Sequence, residues 1–116
     1  MAIPSGSGSE VLKRAALNIT AADGDAKIID GVANHIYTIL TISCYNQSSS
    51  TAALITSYVK ESATTDRYLF DFLSVPSRET FVWNDKFVLT GTDELFVNTT
   101  QDTGYFYVSY IDQDWT

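Results

Sequence analysis

His35 and Cys44 are the side-chain types from which nucleophilic or metal chemistry is usually built, and each occurs once in the chain. A thiol nucleophile needs a base beside it, and a zinc site usually takes several Cys or His ligands. One of each makes neither a typical zinc site nor a convincing dyad. On an extended strand the nine positions from His35 to Cys44 span about 30 Å, and an odd spacing sends the two to opposite faces. A continuous strand therefore excludes a local Cys–His pair, and Cys44, set in an apolar run, reads as a buried structural thiol. A lone cysteine also rules out an intrachain disulfide.

Other chemistry is equally thin. The Gly-Ser run Ser5 to Ser9 lacks the lysine and following helix of a phosphate loop, and nothing matches a dinucleotide fingerprint. Asp23/Asp25 and Asp112/Asp114 could offer oxygens to calcium, but neither pair lies in the twelve-residue loop pattern of an EF-hand, and both read as solvated turns. With 14 acids in the chain, two carboxylates suited to glycoside hydrolysis can always be found, so that signal has no weight. No cofactor is expected. Three glycosylation-like triplets, at Asn18, Asn46 and Asn98, read as chance matches in a Ser/Thr-rich chain.

The aromatic group Tyr105, Phe106, Tyr107, Tyr110 and Trp115 offers recognition chemistry instead. On a two-faced strand Phe106, Val108 and Tyr110 share one side and Tyr105, Tyr107 and Ile111 the other, so both faces are rather apolar. Three readings stay open: core and sheet contacts, a subunit interface, where Tyr and Trp are enriched, and sugar stacking on an exposed ring. Trp115, next to the chain's last residue, needs a pocket from this protein or a neighbour. The interface candidates are Pro4, Lys13, Arg14, Trp83, Tyr105, Tyr107, Tyr110 and Trp115.

These residues must be positioned by strands. Val11 to Thr20 reads as a first strand, although VLKRAAL also suits a helical turn and a half. Ala21 to Asp25 is a turn and Ala26 to Asp30 a short strand. His35 to Asn46 is the clearest strand, with Ile36, Thr38, Leu40, Ile42 and Cys44 on one face and Tyr37, Ile39, Thr41, Ser43 and Tyr45 on the other. The polar loop Gln47 to Thr51 suggests a hairpin to a strand over Ala52 to Lys60. Arg67 to Ser74 follows, with Tyr68, Phe70 and Phe72 on one face, and Pro76 ends it. Glu79 to Leu89 is divided by Asn84-Asp85. Beyond the Gly91-Thr92-Asp93 turn, Glu94 to Thr100 and Tyr105 to Asp112 are expected to pair with each other across Gln101 to Gly104. About eight short strands at regular spacing specify an all-β antiparallel β-sandwich, jelly-roll or immunoglobulin-like. The expected division is a flexible arm over residues 1–14 and one sandwich domain over 15–116.

Bulk composition narrows the partners. A chain of 116 residues with 45% hydrophobic and 18% charged residues supports one globular core. Its formal charge of −7 argues against nucleic acid and against anionic membranes, both of which call for clustered Lys and Arg. Beyond Lys86 there is no base, while Asp93, Glu94, Asp102, Asp112 and Asp114 follow, so the last quarter is the acidic end. Met1 to Pro4 has neither the basic start nor the apolar stretch of a secretory signal, and no segment reaches transmembrane length, so a soluble protein made in a cytoplasm is expected.

From Ile39 to Tyr110 the chain shows an apolar strand running into Cys44-Tyr45-Asn46-Gln47 and a Ser/Thr loop, then a second strand and a polar turn. An aromatic strand follows (Tyr68-Leu69-Phe70) with a Val75-Pro76 step, then the turn Leu89-Thr90-Gly91-Thr92-Asp93-Glu94-Leu95 and a last strand ending Val108-Ser109-Tyr110. This pattern resembles a family of small phage β-sandwich proteins, over roughly two-thirds of the chain. The opening Ile3 to Arg14 is similar to the starts of marine and cyanobacterial phage virion proteins. The segment Trp83-Asn84-Asp85-Lys86 departs from the family by being more polar, which leaves its pairing open. The resemblance implies a non-enzymatic virion component, either a head-decoration (cement) protein or a tail or fibre part. It carries no catalytic residue. It implies the major capsid protein or other virion proteins as partners, a homo-oligomer with a trimer among the options, and residence in the virion after synthesis in the host cytoplasm. The competing reading is a carbohydrate-binding or calcium-dependent adhesin domain contacting host glycans.

Overall fold

Alternation of apolar and polar residues, rich in Val, Ile, Thr, Tyr and Phe, produces strands wherever it runs for four residues or more. The computed structural model describes residues 9–101 and 103–115. Nine strands appear among them: β1 (Ser9–Ile19), β2 (Ala26–Asp30), β3 (His35–Asn46), β4 (Ala53–Glu61), β5 (Thr65–Val75), β6 (Thr80–Trp83), β7 (Phe87–Thr90), β8 (Glu94–Thr99) and β9 (Gly104–Asp114). A single 3-10 turn, Ala21–Asp23, separates β1 from β2. The expected limits of β2 and β3 are met, and Asn84–Lys86 divides β6 from β7 as the polar residues there suggest. The first strand starts earlier than expected. Ser9 to Arg14, assigned to a flexible arm, pair with β9 in an unbroken ladder, so the sandwich begins at Ser9 and not at residue 15. The rest of the expected arm, including Pro4, lies outside the described residues.

Two antiparallel sheets pack face to face. One has the order β1-β9-β3 with β6 and β7 sharing the position beyond β3; the other runs β2-β8-β4-β5. An immunoglobulin-type sandwich places its first two strands in one sheet. Here β1 and β2 lie in different sheets, as do β3 and β4, and β8 and β9, which is the double Greek-key arrangement of a jelly roll. Two expected hairpins are thereby overturned. β3 does not pair with β4, and β8 does not pair with β9; each of those connections crosses from one sheet to the other. A short polar loop can serve either connection, so loop length alone does not distinguish a hairpin from a crossing. β4 and β5 do form a hairpin, whose turn residues Ser62 and Ala63 both have positive φ, 51° and 57°, as a primed turn requires.

β3 shows why parity along a strand is not enough. Its pairing with β9 shifts between Ile39 and Thr41, a bulge that leaves Leu40 as the extra residue and flips every later side chain. Tyr37 and Ile39 before it, and Ile42 and Cys44 after it, therefore all point inward and are buried. The expectation that Tyr37 and Ile39 face away from Ile42 and Cys44 is corrected by this one insertion. β5 behaves similarly. Its register against β4 shifts twice, and Phe72 adopts a φ of 51°. Phe70 turns to the core while Tyr68 and Phe72, expected on its face, are exposed.

The core has two halves. Ile19, Cys44, Ala53, Ile55, Val75, Val97 and Phe106 fill one, around the end of β3. Ile29, Tyr37, Ile39, Ile42, Leu89, Leu95 and Val108 fill the other, around its beginning. Fully burying each large apolar side chain contributes about 2 kcal/mol, which drives the two sheets together. Where the β2–β3 loop meets the β7–β8 turn, Gly31 has no room for a side chain. A Cβ there would collide with the carbonyl oxygens of Asp93 and Gly91.

Candidate functional site

The bulge in β3 also decides where the only histidine goes. His35 turns to the inner side and stacks on Tyr37, ring centroids 5.8 Å apart. Its Nδ1 lies 2.7 Å from Asp112 Oδ1 and its Nε2 lies 3.5 Å from Asp114 Oδ1. The buried Asp112 also accepts from Lys13 Nζ at 2.8 Å. Burial pushes the Asp112 carboxyl up, but the hydrogen bonds from Lys13 and His35 outweigh it and hold the group below its usual value. The hydrogen bond to Asp112 raises Lys13 in turn. By residue types, His35–Asp112 is half of a catalytic triad. By geometry it is a lock: Nδ1 is bonded to Asp112, Nε2 faces the Asp114 carboxylate, and among the described residues neither nitrogen is hydrogen-bonded to a hydroxyl or thiol. The lock ties β1, β3 and β9 together at one end of the sandwich.

Cys44 shares the inner side of β3 with His35 but belongs to the other half of the core, so the separation expected from distance holds while the opposite-face argument does not. Burial pushes its thiol up to about 12, which leaves no thiolate for nucleophilic work. The acidic pairs are committed separately. Asp23 Oδ2 accepts from the Thr20 N–H at 2.7 Å, while Asp25 accepts from Tyr58 Oη at 2.8 Å and from Asn98 Nδ2 at 2.7 Å. Among the described residues no group of three or more His, Cys, Asp or Glu converges as a metal site. Asn46 is 1% exposed, so its triplet presents no acceptor at the surface.

The two outer faces are what remains, and they differ. On the β1-β9-β3 sheet, the outward residues of β9 are Tyr105, Tyr107, Ser109, Ile111 and Gln113, opposite Tyr45, Ser43, Thr41, Thr38 and Ile36 of β3. Tyr105 and Tyr107 are each 40% exposed; Val82 and Val88 add exposed apolar surface on one side and Leu12, 71% exposed, on the other. Leu12, Lys13, Arg14, Leu40, Tyr107 and Ser109 line a shallow depression of about 570 Å3. The only charged side chains among the outward strand residues of this face are Glu10 and Arg14, on β1.

The outer face of the β2-β8-β4-β5 sheet is charged. Phe96 stacks on Tyr58 at 5.1 Å, Tyr58 meets Tyr68 at 5.1 Å, and Lys27 and Lys60 lie over the Phe96 ring. Those lysines pair with Glu94 and Asp66 at 2.6 and 3.0 Å. Burial, then the Asp25 hydrogen bond, push the Tyr58 phenol up. Beside this stack, Thr56 Oγ1 donates to Asp71 Oδ1 and accepts from the Phe72 N–H. These bonds hold the left-handed Phe72, a residue that is 63% exposed.

The residues singled out in the sequence are thus dispersed. Tyr105, Tyr107 and Arg14 share the apolar outer face, Arg14 Nη1 reaching Tyr107 Oη at 3.4 Å. Lys13 is turned inward to Asp112. Tyr110 packs against the core, 5.9 Å from the Tyr37 ring, and Trp83 packs there too, its Nε1 donating to the Asp85 carbonyl. Trp115 is anchored through its backbone N–H to the Asn34 carbonyl. Sequence reasoning missed the partnership of His35 with Asp112, 77 residues apart, and nothing local to either residue signals it. It also missed the Tyr58–Phe96–Tyr68 stack, whose members lie on three different strands.

No family model matches the chain, and no curated protein matches it. Solved structures do share the fold. A pilus protein of Bacillus endospore appendages, described as a novel family of disulfide-linked pili, superposes with a TM-score of 0.53 at 14% identity, over 94% of this chain and 90% of that one. A protein of the T13 viral particle of infectious bursal disease virus gives a TM-score of 0.52 at 8% identity, over 95% of this chain and 32% of that one. This chain therefore spans about a third of the viral protein's length.

Proposed function

We propose that the chain is a non-enzymatic structural protein of a virus particle, and more finely a decoration (cement) protein that adds to the assembled head shell of a phage. The observation that carries this reading is the outer face of the β1-β9-β3 sheet. It offers tyrosine, valine, leucine and hydroxyl side chains with almost no charge, on a protein whose formal charge is −7. Such a face is suited to docking, because little polar surface must be desolvated and few rotamers ordered when it is covered. The acidic remainder keeps the finished particle soluble. The shared fold with a pilus protein and a viral-particle protein agrees with an assembly role and carries no finer assignment. The test is co-sedimentation of purified protein with shells of its own phage. Binding should saturate at fixed stoichiometry and be lost on Tyr107→Lys or Val82→Lys, with folding intact by circular dichroism. A protein that ignores shells at any concentration ends this reading.

A second reading, a fibre or adhesin module contacting host glycans, is favoured by the opposite face. Tyr68 and Phe72 border a depression of about 200 Å3 that also presents Asp25, Asp71 and Asn98, a combination of rings and oxygen acceptors suited to sugars. Binding on a glycan array that disappears with Tyr68→Ala would support it, and an array without hits would remove it.

A further inference from the structure

A sandwich has four sheet edges, and three of these are blunted. β2 is 5 residues long and its ladder shifts at Lys27/Ile29. β5 shifts register twice and carries the left-handed Phe72. The β6/β7 edge is two four-residue pieces separated at Asn84–Lys86. Interruptions of this kind are how β proteins prevent edge-to-edge association. The fourth edge has none. β1 is 11 residues long, contains no proline, and pairs with β9 from Ser9 to Ile19 without a register shift. Its other side has no partner strand among the described residues. Lys13, whose inward charge would blunt such an edge, is neutralised against Asp112.

We infer that β1 pairs with β1 of a second copy, antiparallel about a two-fold axis at Leu12, to make one continuous sheet across a dimer. The pattern around Leu12 is self-complementary. In an antiparallel pair, residues directly opposite share a face, so this register places Glu10 opposite the copy's Arg14, Arg14 opposite the copy's Glu10, and Leu12 opposite itself. All three lie on the outer face, and all are exposed. Shifting the axis to residue 13 or 14 would set Lys13 against Lys13 or Arg14 against Arg14, which like-charge repulsion disfavours. The Leu12 register is the one that sets Glu10 and Arg14 opposite each other, so charge favours it. An isologous contact of this kind uses the same patch on both copies and closes at two. The dimer would extend the low-charge outer face across both copies. It goes beyond the assembly role and does not depend on it, since it is read on the protein alone without shells.

The experiment is solution mass by light scattering and sedimentation on the full chain, with three variants. Wild type should be a dimer. Arg14→Glu, which puts two acids opposite each other at both symmetric positions, should raise the dissociation constant by at least about tenfold. Adding Glu10→Arg to it should restore the dimer. Leu12→Cys should cross-link through a short bismaleimide, with Val82→Cys as the negative control; Cys44 is too buried to compete. A wild-type monomer, a trimer, or a dimer indifferent to Arg14→Glu overturns the inference. So does failure of the charge exchange to rescue, or failure of Leu12→Cys to cross-link.

Discussion

Where β3 ends, the polar group buried between the sheets is neutral; where β3 begins, it is charged. At the first end Asn46 Nδ2 lies 2.9 Å from the Thr51 carbonyl, 3.1 Å from that of Val75 and 3.3 Å from that of Pro76, while its Oδ1 accepts from the Ser48 N–H. One amide thus holds the crossing from β3 to β4 against the end of β5. At the other end Asp112 does the comparable work through Lys13 and His35, holding β1 and β3 to β9. The amide solution satisfies the buried Val75 carbonyl and the buried Ser48 N–H, which would otherwise lack that partner. The carboxylate solution joins side chains whose charge depends on pH. Both are construction, and the difference teaches that a His–Asp pair at 2.7 Å is evidence of chemistry only when a nitrogen is left over to do it.

The comparison can be broken most forcefully at the amide. Asn46→Ala removes the donor shared by the Thr51 and Val75 carbonyls and the acceptor of the Ser48 N–H, and should lower stability by about 3 kcal/mol. It would be read as a lower urea midpoint with an unchanged slope. Asp112→Ala should cost less, about 2 kcal/mol, because the Lys13 side chain is 45% exposed and water takes over part of its role. Equal losses from the two substitutions would show that exposure does not set the difference.

Acid sharpens the contrast. Asp112 has its folded pKa held below the ordinary carboxylate value, so its contribution is present above about pH 4 and is lost as pH falls through the folded value. Urea midpoints measured from pH 7 down to 2.5 should decline at the acid end in wild type and in Asn46→Ala, and decline less in Asp112→Asn. If Asp112→Asn keeps the full acid slope, other carboxylates govern it. The smallest effect expected is favourable. Ala63 has a φ of 57° in the β4–β5 turn, a conformation glycine adopts freely, so Ala63→Gly should raise the midpoint by about 0.5–1 kcal/mol in equivalent stability. That gain, set beside the losses at Asn46 and Asp112, would separate strain in a turn from satisfaction of a buried group.

Much of the element plan was legible. The strands Ala26–Asp30 and His35–Asn46, and the break at Asn84–Lys86, follow from alternation and from residues that interrupt it, and both act over a few neighbours. That Tyr105 and Tyr107 share a side also follows from period two along an unbroken β9, whereas that this side is the outer one does not, because both sides carry apolar residues. What failed did so at insertions and crossings. Leu40 looks like any strand residue, yet as a bulge it reassigns the face of half of β3, and Phe72 does the same in β5. Gln47 to Thr51 looks like a hairpin loop, yet the connection crosses between sheets.

By itself the sequence determined that this is an all-β protein with one buried thiol, one histidine, an acidic surface and strands at these positions, because periodicity, composition and turn chemistry are local properties. Tertiary structure alone decided that the sandwich is a jelly roll, that His35 meets Asp112, and that one outer face is nearly free of charge while the other is ion-paired. Each of those depends on which strands become neighbours. That choice is made by burial of two core halves drawn from every strand, and no short stretch of chain contains it.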